Sequence, residues 1–177
     1  LFESLGVQIT RVTKPADAPT RTGGRLATFV GFGGNELRGA LTMDLPAELV
    51  AQVHPSAVSG HMIEKLHAMH LPGGWRVQDD LCDWASELAN QLLGRMKSAL
   101  SKHAVTLQVS TPSTVWGEMV HAKKLRAEGS FVLDFASGEH LIVVYFDGVA
   151  LVPLDLTRTP TADADDVPAE GDMLMLP

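Results

Sequence analysis

The sequence predicts an α+β domain, and three observations carry that expectation. Two pairs of strand-like runs, each joined by a glycine-containing turn, stand toward the two ends of the chain. A long helical stretch free of internal proline lies between them. Strands that pair as hairpins, with helices between the two sets, give a sheet packed by helices rather than alternating β-α units. At 177 residues with 45% hydrophobic side chains, the chain has the size and composition for one core.

Taken in order, residues 1–5 read as the last turn of a helix, with Gly6 as its stop. The chain opens at Leu1 rather than a methionine, so the helix is expected to begin upstream. Val7, Ile9 and Val12 suggest a strand over 7–12, and a loop rich in Pro, Thr and Gly follows over 14–24. Residues 26–32 and 37–43 form a hairpin around Gly33, Gly34 and Asn35, a strong turn signal. Pro46 suits the first turn of a helix over 47–53. A second short helix is expected over 59–70, closed by Pro72, Gly73 and Gly74. The longest helix is expected over 79–103, opened by acidic residues. A strand over 105–109 ends before Thr111 and Pro112. Residues 131–135 and 141–146 form a second hairpin across Ala136, Ser137 and Gly138, and Asp147-Gly148 turns once more into 149–154. Past residue 154 the chain reads as an acidic, disordered tail, leaving 1–154 as the folded domain.

Composition narrows the function. Fourteen basic and 21 acidic residues give a net charge of -7, which argues against a general affinity for nucleic acid. No apolar run approaches a membrane span of about 18 residues or more. Cys82 is the single cysteine, so no internal disulfide forms, and a reducing cytoplasm is the expected compartment.

The long helix is the informative element. Leu81, Ala85, Leu88, Leu92, Met96 and Ala99 fall near one face at the spacing of successive turns. Asp83, Glu87, Asn90, Gly94, Lys97 and Ser101 form a stripe on the opposite side. A solvated face is the ordinary reading of such a stripe. Yet an interior glycine costs about 1 kcal/mol relative to alanine, and asparagine several tenths. Glu, Lys, Gln or Arg would fill a merely solvated face better. Gly94, one turn beyond Asn90, removes a side chain where a partner could approach, so the stripe reads as a docking surface.

The segment DWASELANQLLGRMK, residues 83–97, resembles the signature helix of CheX proteins, in which D-x-x-x-E-L-x-N-x-x-x-G-x-x-K recurs. Val109, Ser110, Thr111 and Pro112, with Gly117 beyond them, are similar to that family's strand ending in a Ser/Pro turn. The resemblance covers roughly residues 1–146 and places the chain as a CheX-like member of the CheC/CheX/FliY chemotaxis phosphatases. It implies a CheC/CheX-like antiparallel sheet packed with long helices. It also implies an aspartyl-phosphate phosphatase acting on a phosphorylated CheY-like receiver, with Glu87 and Asn90 as the catalytic pair. Glu87 would pair with the receiver's lysine, and Asn90, with both a donor and an acceptor, would orient the attacking water. Asp83, Gly94 and Lys97 are candidate partner-binding positions, Asp83 reading more simply as a charge near the helix start. The family implies a homodimer and no cofactor on this chain, since the receiver brings its own Mg²⁺. CheC proteins carry two such helices; one E-x-x-N here implies one active site, as in CheX.

Other features carry less. His61, Glu64, His67 and His70 recur every three residues, a spacing that drifts around a helix and suits a metal poorly. The glycines from Gly31 to Gly39 match neither phosphate-loop pattern. His121, Lys123, Lys124 and Arg126 form a local basic patch, and Trp75, Trp84 and Trp116 read as core or subunit contacts. Competing readings are a non-catalytic receiver-binding adaptor and a structural subunit of a signalling assembly.

Overall fold

Residues 25–46 form a hairpin within the sheet, each of its strands paired on both sides. A computed structural model of the protein describes residues 1–13, 19, 23–54, 74–117, 130–154 and 156–157, with the backbone alone for 74–77 and 130. In it β2 (Arg25–Gly33) and β3 (Leu37–Pro46) pair antiparallel, Gly33 opposite Arg38 and Arg25 opposite Pro46. The hairpin is the expected one. β3 next pairs with β7 (His140–Ala150), β7 with β6 (Ser130–Ser137), and β6 with the short β1 (Thr10–Arg11). On its other side β2 meets β4 (Gln108–Val109) and β5 (Ser113–Gly117). Among the described residues these strands form one seven-stranded antiparallel sheet, ordered β1-β6-β7-β3-β2-β4 with β5 also on β2.

Alternation along the strands sorts the side chains into two faces. One face presents Leu26, Val30 and Phe32 from β2, Leu41, Met43 and Leu45 from β3, and Ile142 and Val144 from β7, all buried. α1 (Ala47–Val53) follows β3 directly, with Pro46 extended at its N-cap, and buries Leu49, Val50 and Val53. α2 (Gly74–Ser101) lies over β2, β3 and β5 and inserts Leu81, Ala85, Leu88, Ala89 and Leu93. Each such leucine or valine contributes roughly 1.5–3 kcal/mol by leaving water. Among the described residues no helix is long and apolar enough to cross a membrane.

The other face holds a buried ion pair. Arg25 and Asp44 are diagonal neighbours across β2 and β3, and each is almost wholly enclosed. Arg25 Nε donates to Asp44 Oδ1. Its Nη2 donates to the Leu141 carbonyl at 2.7 Å and the Asp44 carbonyl at 3.2 Å. One guanidinium thereby ties three adjacent strands together.

Several expectations need correction. The N-terminal turn is a 3-10 turn over Glu3–Leu5, closed by Gly6 in the left-handed region. Among the described residues only α2 is long; α1 has seven residues. α2 starts at Gly74, five residues before the expected start, and carries no acidic residue in its first turn. It ends at Ser101, where the amides of Ala104 and Val105 return to the carbonyls of Ser101 and Leu100. That arrangement puts Ala104 at a φ of 60°, a place usually taken by glycine. Residues 105–107 bury Val105 and Leu107 without belonging to a strand, and β5 was not anticipated. β7 does not turn at Gly148 but continues to Ala150. There Gly39 and Gly148 face each other; a Cβ on Gly39 would lie 2.0 Å from the Asp147 carbonyl oxygen. That strand crossing needs glycine for closeness, not for a turn. Beside it the Phe146 ring stacks on Phe32 and Phe131, centroids 5.1 and 4.7 Å apart. The helix expected over 59–70 and the tail expected to be disordered from 155 onward lie outside the described residues, apart from 156–157.

Candidate functional site

α2 has one face pressed on the sheet, and the opposite ridge points outward. Asp83, Glu87, Asn90 and Ser101 are exposed on that ridge, and Gly94 and Lys97 are half-buried. Of the six residues expected on the inner face, Leu81, Ala85 and Leu88 are buried, Leu92 and Met96 half-buried, and Ala99 exposed. The inner face is completed instead by Ala89 and Leu93, because the sheet meets α2 off the centre of the expected stripe. The two sides remain opposite, so an outward carboxamide follows from the inward leucines.

The side chains of Glu87 and Asn90 stand one turn apart. Gln91 Nε2 donates to Glu87 Oε1 at 2.9 Å, steadying the carboxylate from the next turn. A carboxylate accepts several hydrogen bonds, so this contact leaves capacity for an incoming cation. At Gly94 a Cβ would meet nothing within 4 Å, so the gap faces outward rather than accommodating a neighbour in the chain. Asp83 is not a charge near the helix start, because nine residues of α2 precede it. Together these groups form an open ridge with an acid, an amide and a vacant position along one line.

Two contacts beside this ridge were not anticipated. Ser86, next to Glu87, hydrogen-bonds Thr114 of β5, and Gln91 holds Glu87 as described. The only local signal for β5 was the β-favouring run Thr114, Val115 and Trp116, too short to stand out and without alternation. Trp84 is half-buried, edge-on to His54 with centroids 5.9 Å apart, and the Trp116 ring lies against Gly24. Nothing is described of the Trp75 side chain, and the basic patch of residues 121–126 lies outside the described residues, as do His61, Glu64, His67 and His70. Among the described residues, no group of three or more His, Cys, Asp and Glu comes together to hold a metal.

Cys82 lies on the flank of α2, half-buried. Burial raises its thiol pKa above the ordinary value, and the charges of Asp79 and Asp83 add to the rise. The folded chain therefore keeps this proton to a higher pH than the unfolded chain. The stability linked to the thiol is complete below the unfolded thiol's pKa and is lost as pH rises beyond it. Alkylation by iodoacetamide is expected to reach half its maximal rate at a higher pH in the native protein than in urea; equal midpoints would refute the shift.

Comparison with known proteins follows the same segment. A family model described as chemotaxis phosphatase CheX matches residues 26–136. No curated protein matches the chain. The crystal structure of chemotaxis protein CheX from Vibrio vulnificus superposes with a TM-score of 0.61 at 16% identity, covering 82% of this chain and 85% of that one. A chemotactic CheC-like protein from Shewanella oneidensis MR-1 gives 0.56 at 17%, covering 84% and 88%. The CheX of a CheX-CheY-BeF3-Mg²⁺ complex from Borrelia burgdorferi gives 0.54 at 11%, covering 80% and 83%. At these identities the solved structures speak for the fold. The matched stretch runs from β2 into β6 and contains all of α2.

Proposed function

The chain belongs to the CheX family of chemotaxis phosphatases, and from that premise we propose that it dephosphorylates the aspartyl phosphate of a CheY-like receiver domain. In this reading Asn90 orients the attacking water and Glu87 anchors the receiver's active-site lysine. The observation that carries it is the exposure of Asn90 one turn from exposed Glu87, on a ridge left open at Gly94. The Borrelia burgdorferi complex of CheX with CheY supports a receiver as the partner.

The chemistry asks little of this chain beyond placement. An aspartyl phosphate is a mixed anhydride, already activated toward hydrolysis, and the receiver would supply the Mg²⁺ that balances the phosphoryl charge. What is missing is a water held in line with the scissile bond. The Asn90 carboxamide accepts a hydrogen bond from that water and donates one to a phosphoryl oxygen. An amide is too weak a base to take the proton, so its contribution is orientation and electrostatic fit. Glu87, steadied by Gln91, forms a charge-assisted bond to the receiver lysine, which fixes the approach of the helix. Asp83 and Lys97 extend the docking ridge on either side. A cytoplasmic location and a homodimer belong to the same proposal and rest on the family resemblance.

The test is phosphate release from a panel of receiver domains phosphorylated with acetyl phosphate. At least one is expected to lose its phosphate faster in the presence of the protein; binding without acceleration in any of them would leave an adaptor instead. Gly94→Leu sharpens the same assay. It should stabilise α2 by about 0.8 kcal/mol through helix propensity. At the same time it should raise KM for the receiver at least tenfold, by filling the space the partner needs. Unchanged KM would remove Gly94 from the docking surface.

A further inference from the structure

Beneath the catalytic ridge, three hydroxyls form a chain from the interior of the sheet to the flank of α2. Thr28 Oγ1 lies 2.8 Å from Thr114 Oγ1, and Thr114 Oγ1 lies 2.7 Å from Ser86 Oγ. Thr28 is fully buried on the helix-facing side of β2, among Leu26 and Val30. Thr114 stands directly opposite it on β5. Ser86 immediately precedes Glu87 and lies one helical turn before Asn90. Each hydroxyl has one hydrogen and two lone pairs, so Thr114 serves both neighbours whichever way the chain runs.

We propose that Ser86, Thr114 and Thr28 are positioning residues that set the rotation and axial slide of α2, and so the aim of Asn90. This rests on the phosphatase reading above. The physical argument concerns direction. Contact between the Leu81, Leu88 and Leu93 side chains and the sheet is non-directional, so it holds α2 down but fixes its rotation weakly. A rotation of about 20° moves an atom at the helix surface, roughly 5–6 Å from the axis, by about 2 Å. Misplacement of about 1 Å at a reacting centre can cost a factor of about 10² in rate. The hydroxyl chain is directional, enters α2 on the Asn90 flank, and is rooted in β2, a strand paired on both sides. An ordinary buried threonine pair would satisfy itself within the sheet; here the chain continues to the helix.

The experiment compares three variants on a receiver that the unchanged protein dephosphorylates. Thr28→Val, Thr114→Val and Ser86→Ala together remove every member of the chain, which avoids stranding a buried hydroxyl and keeps the fold. The triple variant is expected to melt as a folded protein, with kcat down about tenfold or more and KM within about twofold, because docking uses the whole ridge while the water does not tolerate a shift. Thr114→Ser, which keeps the hydroxyl, should retain kcat within about twofold. Full turnover in the triple variant beside an inactive Asn90→Ala would overturn the positioning role alone. A rise in KM with kcat unchanged would also overturn it. Full turnover in Asn90→Ala would overturn the assignment of Asn90 to the attacking water, and the proposal with it.

Discussion

Asn90→Ala is expected to lower receiver dephosphorylation by about 10²–10³-fold, the loss typical of removing one placed polar group that acts at the transition state. Its melting temperature should stay level or rise slightly. The side chain is exposed, and alanine is the better helix former by several tenths of a kcal/mol. The two readouts therefore move in opposite directions, which separates this change from damage to the fold. KM should change little, because Glu87 and the rest of the ridge still dock. Single-turnover decay of the phosphorylated receiver, alongside a thermal melt, measures both. Turnover within threefold of the unchanged protein would end the assignment of Asn90.

Asp44→Ala is expected to produce the largest loss of stability, about 3–5 kcal/mol, by leaving the Arg25 guanidinium buried without its carboxylate. Native domains hold only about 5–15 kcal/mol, so the variant sits close to unfolding. Replacing both partners, Arg25→Met with Asp44→Leu, should destabilise far less than the single change, since no guanidinium is left buried without its carboxylate. Urea unfolding of the single and double variants separates the two cases; equal losses would mean that the pair contributes shape alone. The pair lies on the sheet face away from α2, so the double variant should retain turnover wherever it is folded.

Much of this architecture is legible along the chain, and the exceptions have physical causes. The hairpin at Gly33 and Gly34, the helix over 47–53 and the hairpin at Gly138 each carry a local turn or cap signal, and each forms. The inward face of α2 could be read from its 3.6-residue period, and the outward direction of Glu87 and Asn90 followed. Their exposure was thus legible, whereas the contact of Glu87 with Gln91 depends on rotamers that no pattern displays. Gly148 misled because a glycine after aspartate reads as a turn, while β7 continues past it and a Cβ there would meet the Phe146 ring. Val105 and Leu107 imitated a strand because alternating burial does not require a hydrogen-bonded neighbour. The Arg25–Asp44 pair and the Thr28–Thr114 bridge join residues through strand register, and register is settled only when the sheet assembles.

The outer strand along β2 has one more consequence. Between Phe29, which faces Ser113, and Phe32, which faces Val109, β2 has Val30 and Gly31, whereas the outer strand has Ser110, Thr111 and Pro112. Ser110 closes the mismatch by taking the Gly31 amide with its side chain and giving its own amide to the Gly31 carbonyl. A foreign extended chain approaching this margin would meet a kink, and at Pro112 a residue with no N–H to offer, where lengthwise zippering needs an even row of donors. Among the described residues, the margin beside α2 is thereby guarded against amyloid-like growth.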